Sequence, residues 1–348
     1  MLLQCKRVLV NLANGSQPMK LNSSFIIGFC LTFLPTVSYA LDLGQTKPVV
    51  IAHRGASAYL PEHTLAGAAM AHAMAVDYLE LDLVLSKDLQ LVVNHDLTLE
   101  ETTDVEAVFP LGKRADGKWY VIDFTLAQLK TLQVHERSND GKGGLNFPGR
   151  FPYQKSRFQL ETFQTMVELV QGLNKSTGRH VGIYPEIKDF AFHLKEGKDL
   201  LPIVVKALSD YGYVEKDSGA IVQSFDSAAL KRLRSEFKVK LPLIQLIGGT
   251  WAGPEHADLK TPKGVASVAL YADGIGPSIR ELFLPGTMTP SPLVGEAKKN
   301  KLVIHTYTLR ADQLPDGMTY EIVAKGLLAI GANGIFTDNP DLLRKILP

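Results

Sequence analysis

His53, His95, Arg54 and the carboxylates Glu80 and Asp82 are the groups with chemical potential in residues 49–96 of this 348-residue chain, VVIAHRGASAYLPEHTLAGAAMAHAMAVDYLELDLVLSKDLQLVVNHD. His53 and His95 carry the side chain that titrates nearest neutral pH, the type suited to act as general base and general acid. Arg54, and Lys188 further along, have the charge and reach to hold phosphate oxygens. Glu80, Asp82 and Glu186 are carboxylates with no thiol among them, a hard-oxygen set that suits Ca²⁺ or Mg²⁺ rather than Zn²⁺. Each group also has a plainer reading. A histidine at a strand end is often a hydrogen-bonded core residue, and the acids could be salt-bridge partners of Arg54 and Lys188. Against that, Glu80 and Asp82 stand two apart on a strand, share one face, and repel each other unless a cation sits between them.

The elements that must position these groups can be read from the same stretch. An apolar, β-branched run at 49–52 stops abruptly at His53-Arg54-Gly55, as a buried parallel strand does when its carboxyl end opens onto a site. Residues 64–76 are helix formers almost throughout. A second strand at 77–85 puts Glu80 and Asp82 on one face and Leu79, Leu81 and Leu83 on the other. A third run, 89–93, delivers His95 and Asp96. Only Ser86-Lys87-Asp88 separates it from the second strand, too little for a parallel crossover, so it folds back as an antiparallel hairpin extension.

Beyond residue 97 the strand–helix rhythm lapses until about 160, and DGKGGLNFPGR at 140–150 is loop-like; this block reads as an insertion after the second strand. Strands are then expected at 181–187, 220–225, 243–247, 274–275, 302–308 and 334–336, with helices at 162–173, 200–211 and 228–237. Setting the hairpin strand aside leaves eight strands, each with room for a helix before the next. This predicts an α/β fold, a (β/α)8 TIM barrel whose site groups lie at the carboxyl ends of the strands. An open doubly wound sheet is the alternative, but it leaves polar residues on distant strands unexplained.

The composition is that of an ordinary globular protein, 45% apolar and 21% charged, with a net charge of +1 and no basic tract that would suit nucleic acid. Residues 1–40 differ: basic, then apolar over 25–37, then Ser38-Tyr39-Ala40, a small-x-small cleavage site. They read as a signal peptide cut after Ala40, placing the mature protein in the periplasm. Met19-Lys20 would make a more typical start than Met1. Cleavage removes Cys5 and Cys30, the chain's two cysteines, and takes the formal charge from +1 to −2 through loss of Lys6, Arg7 and Lys20. No later stretch reads as a membrane span, so no stable membrane insertion is expected. Residues 45–348 are read as one catalytic domain, with the insertion at about 97–160.

The remaining candidates have less to distinguish them. His63, His72, His135, His180, His193 and His256 read mostly as surface or packing residues. His305, within LVIHTYT, is either core or support for the site, and Tyr307, two residues on, either walls a pocket or fills the barrel. Asp338 in FTDNPD reads as a cap for the helix that follows.

The ordered motifs IAHRGASAYLPEHT, DYLELDLVLSKD, LVVNHD, PGRFP, GIYPEIK, QSF, YADGIGP and FTDNPD carry a resemblance. They span essentially all of residues 45–348, and together they make the chain similar to the glycerophosphodiester phosphodiesterases, specifically the long periplasmic type of Gram-negative bacteria. The resemblance implies a barrel with an insertion after the hairpin. It implies hydrolysis of glycerophosphodiesters such as glycerophosphocholine and glycerophosphoethanolamine to sn-glycerol 3-phosphate and an alcohol, with a bound divalent metal, typically Ca²⁺. Carried over by position, His53 and His95 become the acid/base pair and Glu80, Asp82 and Glu186 the metal ligands. Arg54 and Lys188 fall on the phosphate, Gln223 and Tyr307 beside the substrate, and Glu62 in support. His63 stands where many relatives have Asn, and residues 248–270 look shorter than in long relatives. The rival readings are a sphingomyelinase D-like phosphodiesterase, which would present an exposed apolar loop where only polar insertions are seen here, and a non-catalytic barrel, which would have lost a key residue.

Overall fold

The computed structural model describes residues 43–139, 144–249 and 252–347, so the expected signal peptide lies outside the described residues. Ten strands form one sheet: β1 (Val49–Ala52), β2 (Tyr78–Leu85), β3 (Leu91–Val93), β4 (Glu161–Thr162), β5 (Gly182–Ile187), β6 (Val222–Ser224), β7 (Leu243–Ile247), β8 (Gly274–Pro277), β9 (Val303–Leu309) and β10 (Gly334–Thr337). Their order is β1-β10-β9-β8-β7-β6-β5-β2-β3-β4, and β1 also pairs with β2. That last pairing closes the eight parallel strands into a barrel, and β3 and β4 hang from β2 as an antiparallel extension. The expected (β/α)8 barrel and hairpin are therefore both present.

Alternation along β2 decides which chemistry faces where. Leu79, Leu81 and Leu83 point outward into the large apolar layer between barrel and helices, with Met166, Val167 and Phe190. The inward face is apolar at its lower end, where Val49, Ile51, Tyr78, Tyr184 and Phe336 meet, and the rings of Tyr184 and Phe336 stand edge to face 5.0 Å apart. Burying side chains of this size is worth roughly 1.5–3 kcal/mol each, so the barrel floor is a rigid platform. Gly182 is required there, because a Cβ on it would come within 2.6 Å of the Tyr78 ring. One level higher the interior turns polar. The parallel register sets Asp82 opposite Glu186, and Glu186 opposite Gln223.

His305 belongs to the floor: its ring nitrogens meet the Tyr184 hydroxyl at 2.9 Å and the Leu43 carbonyl at 2.9 Å. The insertion is better ordered than its lost rhythm suggested. It folds over its own apolar cluster, which includes Leu99, Val105, Trp119, Phe124 and Leu129, against Val84 and Val92 of the hairpin. It is not wholly polar, as the sequence had suggested, for Leu111 stands 96% exposed beside a half-exposed Val108. Among the described residues no helix is long and apolar enough to cross a membrane.

Candidate active site

A cavity of about 1000 Å³ opens at the carboxyl ends of the strands, lined by His53, Arg54, Glu80, His95, Glu186, Lys188, Gln223 and Tyr307 among others. Eight of the ten residues singled out in the sequence thus share one wall system. Asp82, fully buried, and Glu62 lie just behind it: Glu62 accepts from the Arg54 guanidinium, and Asp82 stands 3.7 Å from Lys188 Nζ.

The loop after β1 puts two groups in place at once. The His53 N–H donates to the Thr337 carbonyl, and Arg54 and Gly55 then take left-handed conformations, φ 57° and 88°, that turn the chain sharply into the site. The Arg54 N–H donates to Glu80 Oε2 at 2.6 Å, while its guanidinium grips both oxygens of Glu62 at 3.0 and 3.1 Å. Thr64 caps the following helix, Leu65–Ala73, through the Gly67 N–H. His95 is delivered by the turn after β3, where the Asn94 side chain donates to the carbonyls of Asp96 and Thr98.

The acids form the centre. His63, Glu80 and Asp82 each present a ligand atom, all within 4.8 Å of one another and all buried. His63 Nε2 meets Asp82 Oδ2 at 2.7 Å, so this histidine is part of the site and not surface filling. Its left-handed φ of 58°, in the turn closed by the His63 N–H on the Arg54 carbonyl, brings it there, and nothing in residue type alone signalled that. Glu186 lies outside this triad, its Oε1 on Lys188 Nζ at 2.8 Å. Lys188 also stands 3.7 Å from Asp82 Oδ1, which has no hydrogen-bond partner.

Burial, then Asp82, pushes Glu80 well above the usual carboxylate value, and burial raises Glu186 to about 7 despite Lys188. Burial works on Asp82 too, but Lys188 and the neighbouring histidines hold it well below its ordinary value. Carboxylates that penalise each other's charge, plus a buried carboxylate oxygen with nothing to accept from, are what a divalent-cation site looks like from its ligands. The donor set fits such an ion.

Each strand-end histidine carries a carboxylate on Nδ1: His53 on Asp338 at 2.7 Å and His95 on Asp96 at 2.6 Å. Asp338 is therefore not the helix cap expected of it. The helix Pro340–Ile346 has Asn339 at its N-cap position with no side-chain cap, and Asp338 is turned inward instead. Its other oxygen accepts from Arg150 and Arg310, both at 2.7 Å. Burial and then Arg54 lower His53 to about 4; burial, Arg54 and Lys188 lower His95 to about 3. Both shifts favour the neutral ring, and on a neutral ring an ionised carboxylate at Nδ1 favours the tautomer with the proton there and the lone pair on Nε2.

The sequence also missed Arg137, which lies within the insertion. It forks onto both oxygens of Glu62 at 2.7 and 3.1 Å and also holds Asp96 and Glu101. Tyr307 lines the cavity, but its hydroxyl donates to the Ile247 carbonyl at 3.0 Å, leaving the ring as the surface it presents. Gln223 is buried and its Oε1 has no hydrogen-bond partner. Of the other histidines, His193 accepts from the Leu85 N–H and His256, at the cavity's edge, from the Gly248 N–H.

Residues 53–342 match the model of the glycerophosphoryl diester phosphodiesterase family. A glycerophosphodiester phosphodiesterase of Haemophilus influenzae is 42% identical over 323 residues, 85% of this chain and 89% of its own length. One from Treponema pallidum is 36% identical over 350 residues, 92% of this chain and 97% of its own. An Oleispira antarctica phosphodiesterase, solved in complex with the product sn-glycerol-3-phosphate, shares the fold with a TM-score of 0.60 at 19% identity, over 86% of this chain and 96% of that one.

Proposed function

The chain belongs to the glycerophosphoryl diester phosphodiesterase family, and from that premise we propose how its own residues hydrolyse glycerophosphodiesters to sn-glycerol 3-phosphate and an alcohol. The observation that carries the reading is the pair of imidazoles, His53 and His95, brought from different strands to one cavity beside a cluster of buried carboxylates. His63, Glu80 and Asp82, with Glu186 from the next strand, would hold a divalent cation, Ca²⁺ by preference or Mg²⁺. Such an ion, when bound, supplies positive charge to the phosphoryl oxygens.

Arg54 and Lys188 line the same wall and hold the phosphate by charge, while Gln223 and the Tyr307 ring bound the space for the glycerol and its alcohol. One histidine takes the proton of the glycerol 2-hydroxyl as its oxygen attacks phosphorus; the other gives a proton to the alcohol oxygen as its bond to phosphorus breaks. The anionic substrate favours the protonated form of the histidine facing the leaving oxygen. Water then opens the resulting cyclic phosphate with the two histidines exchanging roles. An attacker already held in place is favoured over a free one.

Substrates are glycerophosphocholine, glycerophosphoethanolamine and similar esters. The protein is exported, cut after Ala40 and active in the periplasm; the intact mass of the native protein should correspond to a chain beginning at Leu41, and a retained leader overturns this. Purified protein incubated with glycerophosphocholine should release glycerol 3-phosphate, and lose that activity with chelator. No product from the untreated enzyme overturns the assignment. A substrate whose 2-hydroxyl is replaced by hydrogen should resist; normal cleavage of it overturns the cyclic route.

A further inference from the structure

His53 and His95 are mounted in the same way. Each has its Nδ1 against one oxygen of an aspartate, Asp338 or Asp96, at 2.7 and 2.6 Å. The other oxygen of each aspartate accepts from an arginine of the insertion: Asp338 from Arg150 at 2.7 Å, Asp96 from Arg137 at 2.6 Å. Neither arginine comes from a barrel element; both belong to the segment between β3 and β4.

We propose that Arg137 and Arg150 are positioning residues, and that the insertion thereby sets the direction and tautomer of both imidazoles through Asp96 and Asp338. The inference rests on the reading of His53 and His95 as the acid/base pair.

Three features favour positioning over incidental surface pairing. The arginine side chains are only 11% and 5% exposed, so the ion pairs are shielded, unlike a solvated pair of small worth. Each guanidinium is itself fixed from other sides. Arg150 forks onto Asp312, donates to the Ser57 carbonyl and lies 3.7 Å from the Phe147 ring centre; Arg137 forks onto Glu62. And an ionised carboxylate on Nδ1 forces that nitrogen to be the donor, which leaves Nε2 as the base. An aspartate free to rotate or to take a proton would not impose this. Asp338 keeps a second arginine, Arg310, whereas among the described residues Asp96 has Arg137 alone, so the two clamps differ in redundancy.

The test takes the full-length enzyme and its Arg137→Gln, Arg150→Gln, Asp338→Asn and Asp96→Asn variants, with Lys130→Gln as an insertion control whose ammonium pairs with Glu161. Thermal melts establish that each is folded. Long-range ¹H–¹⁵N spectra of the histidine rings read tautomers directly. The wild type should show His53 and His95 as Nδ1–H forms; Asp338→Asn should move the His53 signals and Asp96→Asn those of His95. In steady-state assays on glycerophosphocholine, Arg137→Gln and Arg150→Gln should lower kcat by about 10- to 100-fold with KM little changed. Arg137→Gln should be the more severe, and Arg137→Lys and Arg150→Lys should recover part of the loss. Lys130→Gln should match the wild type. Unaltered kcat together with unaltered ring signals in both arginine variants overturns the proposal. A wild-type enzyme that releases no glycerol 3-phosphate overturns the functional reading instead, and the spectra still decide whether the clamps exist.

Discussion

The site's least expected residues are the ones that do not face the cavity. His63, Arg137 and Asp338 were missed or misassigned because a residue's type and its neighbours in sequence say nothing about a partner 19 to 285 positions away. His53, Glu80, Asp82, His95 and Glu186 were legible because strand ends and strand alternation fix their directions within a few residues. If His53 and His95 exchange the proton, His53→Ala and His95→Ala should each lower kcat by about 10²–10⁴, measured with substrate at saturation. A second consequence concerns Glu136, buried with Oε2 lacking a partner, and pushed by burial and then Glu62 up to about 8. Its carboxyl is protonated in the folded protein where the unfolded chain would ionise it near its ordinary value of 4.5. The folded form then binds the extra proton between those values, so stability falls as pH rises through that window. Glu136→Gln should remove the effect, raising Tm at pH 8 by several degrees and at pH 4.5 hardly at all.

At the scale of elements, the hairpin could be read from its three-residue connection, and the eight barrel strands from apolar runs spaced for helices. The insertion could not be read this way. Its order comes from packing Trp119, Phe124 and Leu129 against the back of the hairpin, a contact pattern with no period in the sequence. The barrel floor offers the sharper test. Gly182 sits where any side chain would strike the Tyr78 ring, so Gly182→Val should cost about 1–3 kcal/mol through overpacking. Chemical denaturation should show a lower midpoint, while activity well below the melting range survives, since the polar layer lies above the floor.

For the whole molecule, if the carboxylate cluster holds a divalent cation as proposed, stability and metal content become one quantity. A cation that binds the folded chain at a hundredfold excess over its dissociation constant should stabilise it by about 2.7 kcal/mol. Calorimetric scans with Ca²⁺ and with chelator should therefore separate clearly, and coincident scans would remove the cluster from consideration as a metal centre. Activity lost to chelator and restored by Ca²⁺ is the matching kinetic outcome.

One feature of the closed sheet acts in time as well as in space. β1 is the first barrel strand to be made, yet its whole length pairs with β10, the last, from Val49 opposite Gly334 to Ala52 opposite Thr337. Against β2 it has only two residues in register. A growing or threading chain therefore carries an unsatisfied first strand until its final elements are delivered, and His53 has no Asp338 to meet. The finished enzyme is assembled from its two ends, and a partly delivered chain is left with two open sheet edges. A polypeptide stopped at residue 333 should be cut rapidly by trypsin and recovered in the pellet, whereas the complete chain resists.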